Sequence, residues 1–381
     1  MLRLPALIVV ALAVGCADAQ PAERALPGFE TNTARRTIDL DELRAGGPPK
    51  GGIPAIDAPR FVSAEDAAAW LAPQEPVVLL RQGGAVKVYP LQILTWHEIV
   101  NDSLGGAPVA VTFCPLCYSA VALSRRVETD AGPRTLTFGV SGLLRHSDLV
   151  MYDRQTETLW QQFTGEALVG DLVGTSLRVL PAQIVSFEQA RAAEPGAPVL
   201  SRETGHSRPY GENPYVGYDD VAKRPLLFRG PEDGRLPPMA RVVAVEVGDP
   251  AAGGAARAYP ARATREVGVT ADTLGGVALV VLHADGATTA LGAREIAQAR
   301  EVGSTGVFRS VLDRDGEALA LTFRPAPGGF VDEQTGSTWA VTGEATSGLL
   351  EGARLVPLRH HDTFAFAWFA FRPETTVYGV P

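Results

Sequence analysis

Residues 109–123 read VAVTFCPLCYSAVAL. An apolar, β-rich run enters Cys114 and a second alternating run leaves after Cys117, so Pro115 and Leu116 fall in a tight turn between two strands. Thioredoxin-type cysteine pairs stand instead where a strand passes into a helix, whose N-terminal dipole lowers the pKa of the first thiol. Here the alternation after Cys117 argues for a second strand, and the cysteines sit on a hairpin.

The same pattern continues outward. Residues 120–127, 135–140 and 149–153 are short β-rich runs separated by Gly, Pro or Asp, and Asp153-Arg154-Gln155-Thr156 reads as a turn before a returning strand at 159–163. Residues 90–101, PLQILTWHEIVN, place Pro at a helix start and apolar side chains at Ile93, Trp96 and Val100. Ser63 followed by Glu65 predicts a second, capped helix. Forty Gly and 29 Pro in 381 residues require short elements and frequent turns. The fold class is therefore α+β and strand-dominated: two tandem related modules of short antiparallel strands with a few helices.

The tandem reading rests on self-similarity. Tyr89-Pro90 precedes Leu104-Gly105-Gly106 as Tyr259-Pro260 precedes Leu274-Gly275-Gly276, with the same spacing. DRQTETLW from Asp153 to Trp160 is answered by DEQTGSTW from Asp332 to Trp339, and TGEA at 164–167 by TGEA at 342–345. Residues shared by both copies serve the common fold; chemically special residues present in one copy are candidates for function. With the Tyr-Pro step as register, Trp96, His97 and Glu98 fall on Glu266, Val267 and Gly268. Deleting one residue in the next segment sets Cys114 against His283 and Cys117 against Gly286, and counting back from the Asp-x-Gln-Thr turns sets Met151 against Phe330. The second copy reads as a degenerate repeat.

The chain divides into residues 1–16, a signal peptide; 17–60, a flexible linker; 61–218, module 1 with the cysteine pair; and 219–381, module 2. Residues 4–14 form an apolar stretch after Arg3, too short to span a membrane, and Leu12-Ala13-Val14-Gly15-Cys16 resembles a bacterial lipobox. Cys16 is then the lipid attachment point, and the protein is exported, held at the cell membrane or released into the periplasm. With 34 basic against 43 acidic side chains the net charge is −9, and no basic stripe points to nucleic acid.

With Cys16 lipidated, Cys114 and Cys117 are the remaining thiols. One short-range pair closes too small a loop to act as a structural staple, so it reads as a site. A Cys-Pro-Leu-Cys turn resembles the metal-binding knuckles of rubredoxin-like proteins, although Tyr118 stands where those turns carry Gly. A tetrahedral site needs two more donors. His97, on the flank of the buried helix face, and Met151 are the candidates, with Trp96, Glu98 and His146 as supporting or alternative ligands. Two thiolates with imidazole and thioether form a soft set, which favours copper before zinc or iron. The blander alternatives are a hydrogen-bonded helix histidine and a core methionine.

YPLQILTWHEIVND, VTFCPLCYSAVAL, FGVSGLL, SDLVMYDRQTETLWQQFTGEA and RPYGENPYVGYDD together resemble the bacterial family known only as domain of unknown function 3179, and the closing FAFAWFAFRPETTVYG fits it too. The resemblance covers most of the first copy and implies no activity. Three functions follow from the residues: a lipid-anchored extracytoplasmic metal-binding protein, a thiol–disulfide oxidoreductase using Cys114 and Cys117, or a surface binding module without chemistry. A serine hydrolase is disfavoured, because Ser141 lacks the Gly-x-Ser-x-Gly elbow.

Overall fold

The computed structural model describes residues 26–129, 132–248, 254–314 and 316–380. The expected signal peptide and Cys16 lie outside the described residues. Strands dominate, gathered into several small, mostly antiparallel sheets, with short helices between them. No helix among the described residues is long and apolar enough to cross a membrane.

The hairpin Pro76–Gln82/Ala85–Pro90 leads into the helix Leu91–His97, and that into the antiparallel pair Ile99–Leu104/Ala107–Cys114. The helix is shorter than the apolar spacing predicts. Glu98 turns left-handed (φ 58°) and ends it, and the β-branched Ile99 and Val100 begin a strand instead. Ser119–Ser124 returns along Ala107–Cys114, with Cys114 opposite Ser119, so the cysteine pair is on a hairpin as the alternation implies. The helix after Ser63 forms as Ala64–Ala67, with the serine oxygen accepting from the Asp66 amide at 3.0 Å.

The second run repeats this order: Arg241–Val247, Ala255–Pro260, the helix Ala261–Val267, Val269–Leu274 and Val277–Ala284. Shared residues make shared bonds. Tyr89 donates to Asp102 at 2.8 Å and Tyr259 to Asp272 at 2.7 Å. Trp160 donates to Asp153 and Trp339 to Asp332, both at 2.9 Å. The register also corrects one pairing made from sequence. Phe113 N donates to the Glu98 carbonyl and His283 N to the Gly268 carbonyl, each at 2.8 Å, so His283 matches Phe113 and Cys114 falls on Ala284. No deletion is needed, because both hairpins run in step through their Gly-Gly turns.

The two runs share their interior. One cluster holds Ile93, Val111, Cys114, Met151 and Trp160 together with Val242, Phe364 and Trp368; another joins Val77 and Phe187 to Phe308 and Trp339. Each fully buried aromatic or aliphatic side chain contributes roughly 1.5–3 kcal/mol.

Residues 26–60 are not a free tether where the structure describes them. Leu26, Leu40 and Leu43 pack against Val150, Leu159 and Val169, and Leu43–Ala45 adds an edge strand to Phe138–Arg145. Ile56 reaches the main core. Apolar anchors spaced irregularly along the stretch leave no periodic trace, which is why it reads as a linker. Gly142 (φ 77°) belongs to this contact, since a Cβ there would stand 2.1 Å from the Pro48 carbonyl oxygen.

Candidate metal centre

The turn between the cysteines is closed by two backbone bonds, Cys117 N to Cys114 O (3.3 Å) and Tyr118 N to Pro115 O (3.2 Å). Tyr118 takes the left-handed conformation (φ 54°) for which Gly is the usual choice, a strain of about 1 kcal/mol. Tertiary contacts hold it there. Its hydroxyl accepts from Ala290 N at 3.2 Å, its ring meets Phe113 and Phe364 edge-on, and the Arg241 guanidinium lies 4.2 Å from the ring centroid. The Cys117 carbonyl accepts from Thr363 Oγ1 (2.8 Å) and Phe364 N (3.1 Å), so the second run grips the turn.

A second hairpin brings the third group. Phe138–Arg145 and Asp148–Asp153 pair antiparallel with Arg145 opposite Asp148, leaving His146 and Ser147 as the two-residue loop. Both are left-handed, with φ of 50° and 73°, as the primed turns of tight hairpins require. The tip reaches the cysteines: Cys114 Sγ donates to the Ser147 carbonyl at 3.8 Å. One residue on, an Asp148 carboxylate oxygen and the two sulfurs all lie within 4.8 Å of one another, and all three residues are buried.

Asp148 Oδ2 accepts from Gln161 Nε2 (2.7 Å) and Phe163 N (3.1 Å), whereas Oδ1 is buried without a hydrogen-bond partner. Burial pushes this carboxyl up to about 7. Glu98, also buried, is pushed up to about 8, first by burial and then by Asp148. Burial likewise raises both thiols, Cys117 the more strongly. Both thiols therefore keep their protons at neutral pH while Asp148 is only partly ionised, and a cation bound there would have to displace the thiol protons.

The remaining candidates are placed differently. His97 is buried with both ring nitrogens engaged, Nδ1 with the Pro54 carbonyl and Nε2 with the Tyr210 hydroxyl, each at 2.6 Å. Burial presses its pKa down to about 4. It is not among the donors that converge on the cysteines. Met151 is wholly buried in the core cluster that contains both cysteines, with Val140 and Trp160 as cross-strand neighbours. Trp96 donates to the Glu212 carbonyl at 3.0 Å. His146 turns to Glu42 (3.5 Å) and to the rings of Phe228 and Phe371.

Asp148 is the donor that sequence reasoning passed over, because a carboxylate beside a turn is usually solvated. Counting back from the Asp-x-Gln-Thr turns sets it against Pro327. The comparison that singled out Met151 thus contains Asp148 as well.

A family model with the description "Protein of unknown function (DUF3179)" matches residues 50–375. No curated protein and no solved structure matches the chain.

Proposed function

Because the chain belongs to the DUF3179 family, whose description supplies no activity, we propose from its site that it is an exported, lipid-anchored protein that binds one metal ion through Cys114, Cys117 and Asp148. The observation that carries this is the convergence of a buried Asp148 carboxylate oxygen and two buried thiol sulfurs within 4.8 Å of one another, with Asp148 Oδ1 making no hydrogen bond of ordinary geometry. A buried polar atom left unpaired costs roughly 1–3 kcal/mol. A cation coordinated there removes that cost. Export and the lipid anchor rest on the apolar leader and the run ending at Cys16.

The preference for copper rested on His97 and Met151 completing a soft set. With both His97 nitrogens bonded elsewhere, the carboxylate is the nearer third donor and a harder one, and two thiolates with carboxylate oxygen suit zinc(II) better than copper(I). The test is elemental analysis and zinc titration of the purified chain beside Cys114→Ser and Asp148→Asn. Wild type binds one equivalent and both variants bind weakly. Equal binding by all three refutes the proposal.

One observation favours a second reading. An Asp148 carboxylate oxygen lies within 4.8 Å of both sulfurs, close enough to serve as the base for either thiol after a small shift. In a dithiol oxidoreductase the Cys114–Cys117 disulfide would form with loss of two protons and two electrons, the electrons passing to an oxidised disulfide of a partner, which is reduced to two thiols. Against it stand the raised pKa values of both thiols and the strand rather than helix N-terminus after Cys117. A reversible Cys114–Cys117 disulfide in a protein that binds no metal would select this reading.

A further inference from the structure

Cys114 and Cys117 are at most 2% exposed, so whatever reaches them requires part of the protein to move. The segment between Leu200 and Arg241 carries no helix or strand and lies across this region. Tyr218 donates its hydroxyl to the carbonyl of Leu116, between the two cysteines, at 3.1 Å, and accepts from Leu226 N at the same distance. An open groove between Tyr215, Tyr218, Lys223 and Leu226 runs down beside it.

The segment is pinned firmly at two places. Asp219 is buried and accepts from Thr289 (2.5 Å) and Arg300 (2.6 Å). Arg235 bonds the carbonyls of Pro373 and Thr375 and sits 4.0 Å over the Phe369 ring. Between the pins the hold is slight. Leu226 N donates to the Tyr218 hydroxyl, Ser147 Oγ donates to the Leu226 carbonyl, and Phe228 inserts its ring against Phe366 and His146. The rest faces outward: Val221, Leu226 and Leu227 are 55%, 50% and 49% exposed. Leu227 is left-handed (φ 57°), a strained conformation for a bulky residue that release would relax. A stretch that buries so little apolar surface opens at small cost.

We propose that the loop 220–234, hinged at Asp219 and Arg235, is the gate to the cysteine site, latched by Ser147 and plugged by Phe228. The latch residue links gate and site directly. Its side chain holds the loop, its carbonyl accepts from Cys114 Sγ, and the next residue is Asp148. Lifting the loop therefore uncovers the hairpin tip beside the thiols. The inference takes Cys114, Cys117 and Asp148 to be a working site but is indifferent to what occupies it.

The experiment is alkylation of the metal-free, full-length protein with N-ethylmaleimide, with adducts on Cys114 and Cys117 followed by peptide mass spectrometry. Ser147→Gly keeps the left-handed backbone without strain and removes the small side chain with the hydroxyl that makes the latch. It is expected to speed alkylation about fivefold, as loss of one hydrogen bond implies. Phe228→Ala removes a partly buried ring and is expected to speed it more than about tenfold. Leu349→Ala, an exposed side chain elsewhere (67%), leaves the rate unchanged. The gate is refuted if both gate variants stay within about twofold of wild type, or if alkylation in low urea tracks global unfolding. Zinc titration of the same variants reads the metal proposal separately: a protein that binds no metal yet shows the accelerated alkylation keeps the gate and loses the metal, and the converse result does the opposite.

Discussion

Glu98 and Gly268 close two helices of equal length, Leu91–His97 and Ala261–Val267, in the same left-handed conformation, with φ of 58° and 72°. Each backbone carbonyl then accepts from the following hairpin at 2.8 Å. The second run uses the residue that adopts this conformation freely, whereas the first holds a buried carboxyl beside Asp148 at a conformational cost. Glu98→Gly should therefore stabilise the metal-free protein at pH 8 by at least about 1 kcal/mol. Urea unfolding measures it, and a lower midpoint in the variant would contradict the strain argument.

Asp148→Asn keeps an acceptor for Phe163 N but removes the charge that faces the sulfurs. Zinc affinity should fall at least about tenfold, and further in Cys114→Ser, when measured by competition with a chromophoric chelator. An unchanged affinity for Asp148→Asn would remove the carboxylate from the donor set.

The metal-free protein should lose stability as pH rises from neutrality to 8. Asp148 and Glu98 have folded-state values of about 7 and 8, above their unfolded ones, so their contribution is complete below the unfolded values and disappears as pH climbs through the folded ones. His97 and His361 act oppositely on the acid side. Burial holds them at about 4 and about 3, so acidification below the ordinary histidine range favours the unfolded chain. Between roughly pH 4.5 and 6.5 these two pairs act in opposite directions, so the melting temperature should be nearly level there and fall as pH rises above about 7. Saturating zinc should raise the alkaline limb, since binding requires the deprotonated ligands. A flat profile between pH 6 and 8 without metal would contradict this.

His97→Gln should separate architecture from chemistry. It disturbs two buried hydrogen bonds, to Pro54 and Tyr210, and should cost about 1–3 kcal/mol. The zinc stoichiometry of the folded variant should be that of wild type. Loss of zinc at undiminished stability would restore His97 as a ligand.

The fold was legible where residues act through local geometry. Alternation on both sides of Cys114 and Cys117 gives the hairpin, and the Tyr-Pro and Leu-Gly-Gly steps mark equivalent strands. The site was legible only in part, because its third group arrives on another hairpin. Nothing local sets Asp148 apart from a solvated turn carboxylate; its burial follows from the His146–Ser147 turn docking beneath the segment at 213–229. His97 misled for the complementary reason. Its helix position shows that it is buried, but not that Pro54 and Tyr210 already occupy both of its nitrogens. Tyr118 departs from the usual knuckle in identity yet takes the backbone conformation of the Gly it replaces, held by contacts from Ala290, Phe364 and Arg241 that lie far along the chain.

The two bonds from Thr363 and Phe364 to the Cys117 carbonyl also set an order of events. A ribosome makes the cysteines first, and the hydroxyl that fixes their turn is 246 residues further on. Until that strand arrives the thiols sit on an unfinished hairpin. The centre is thus incomplete until residues 363 and 364 are in place, and a chain stopped short of Thr363 would carry both cysteines without the clamp that positions them.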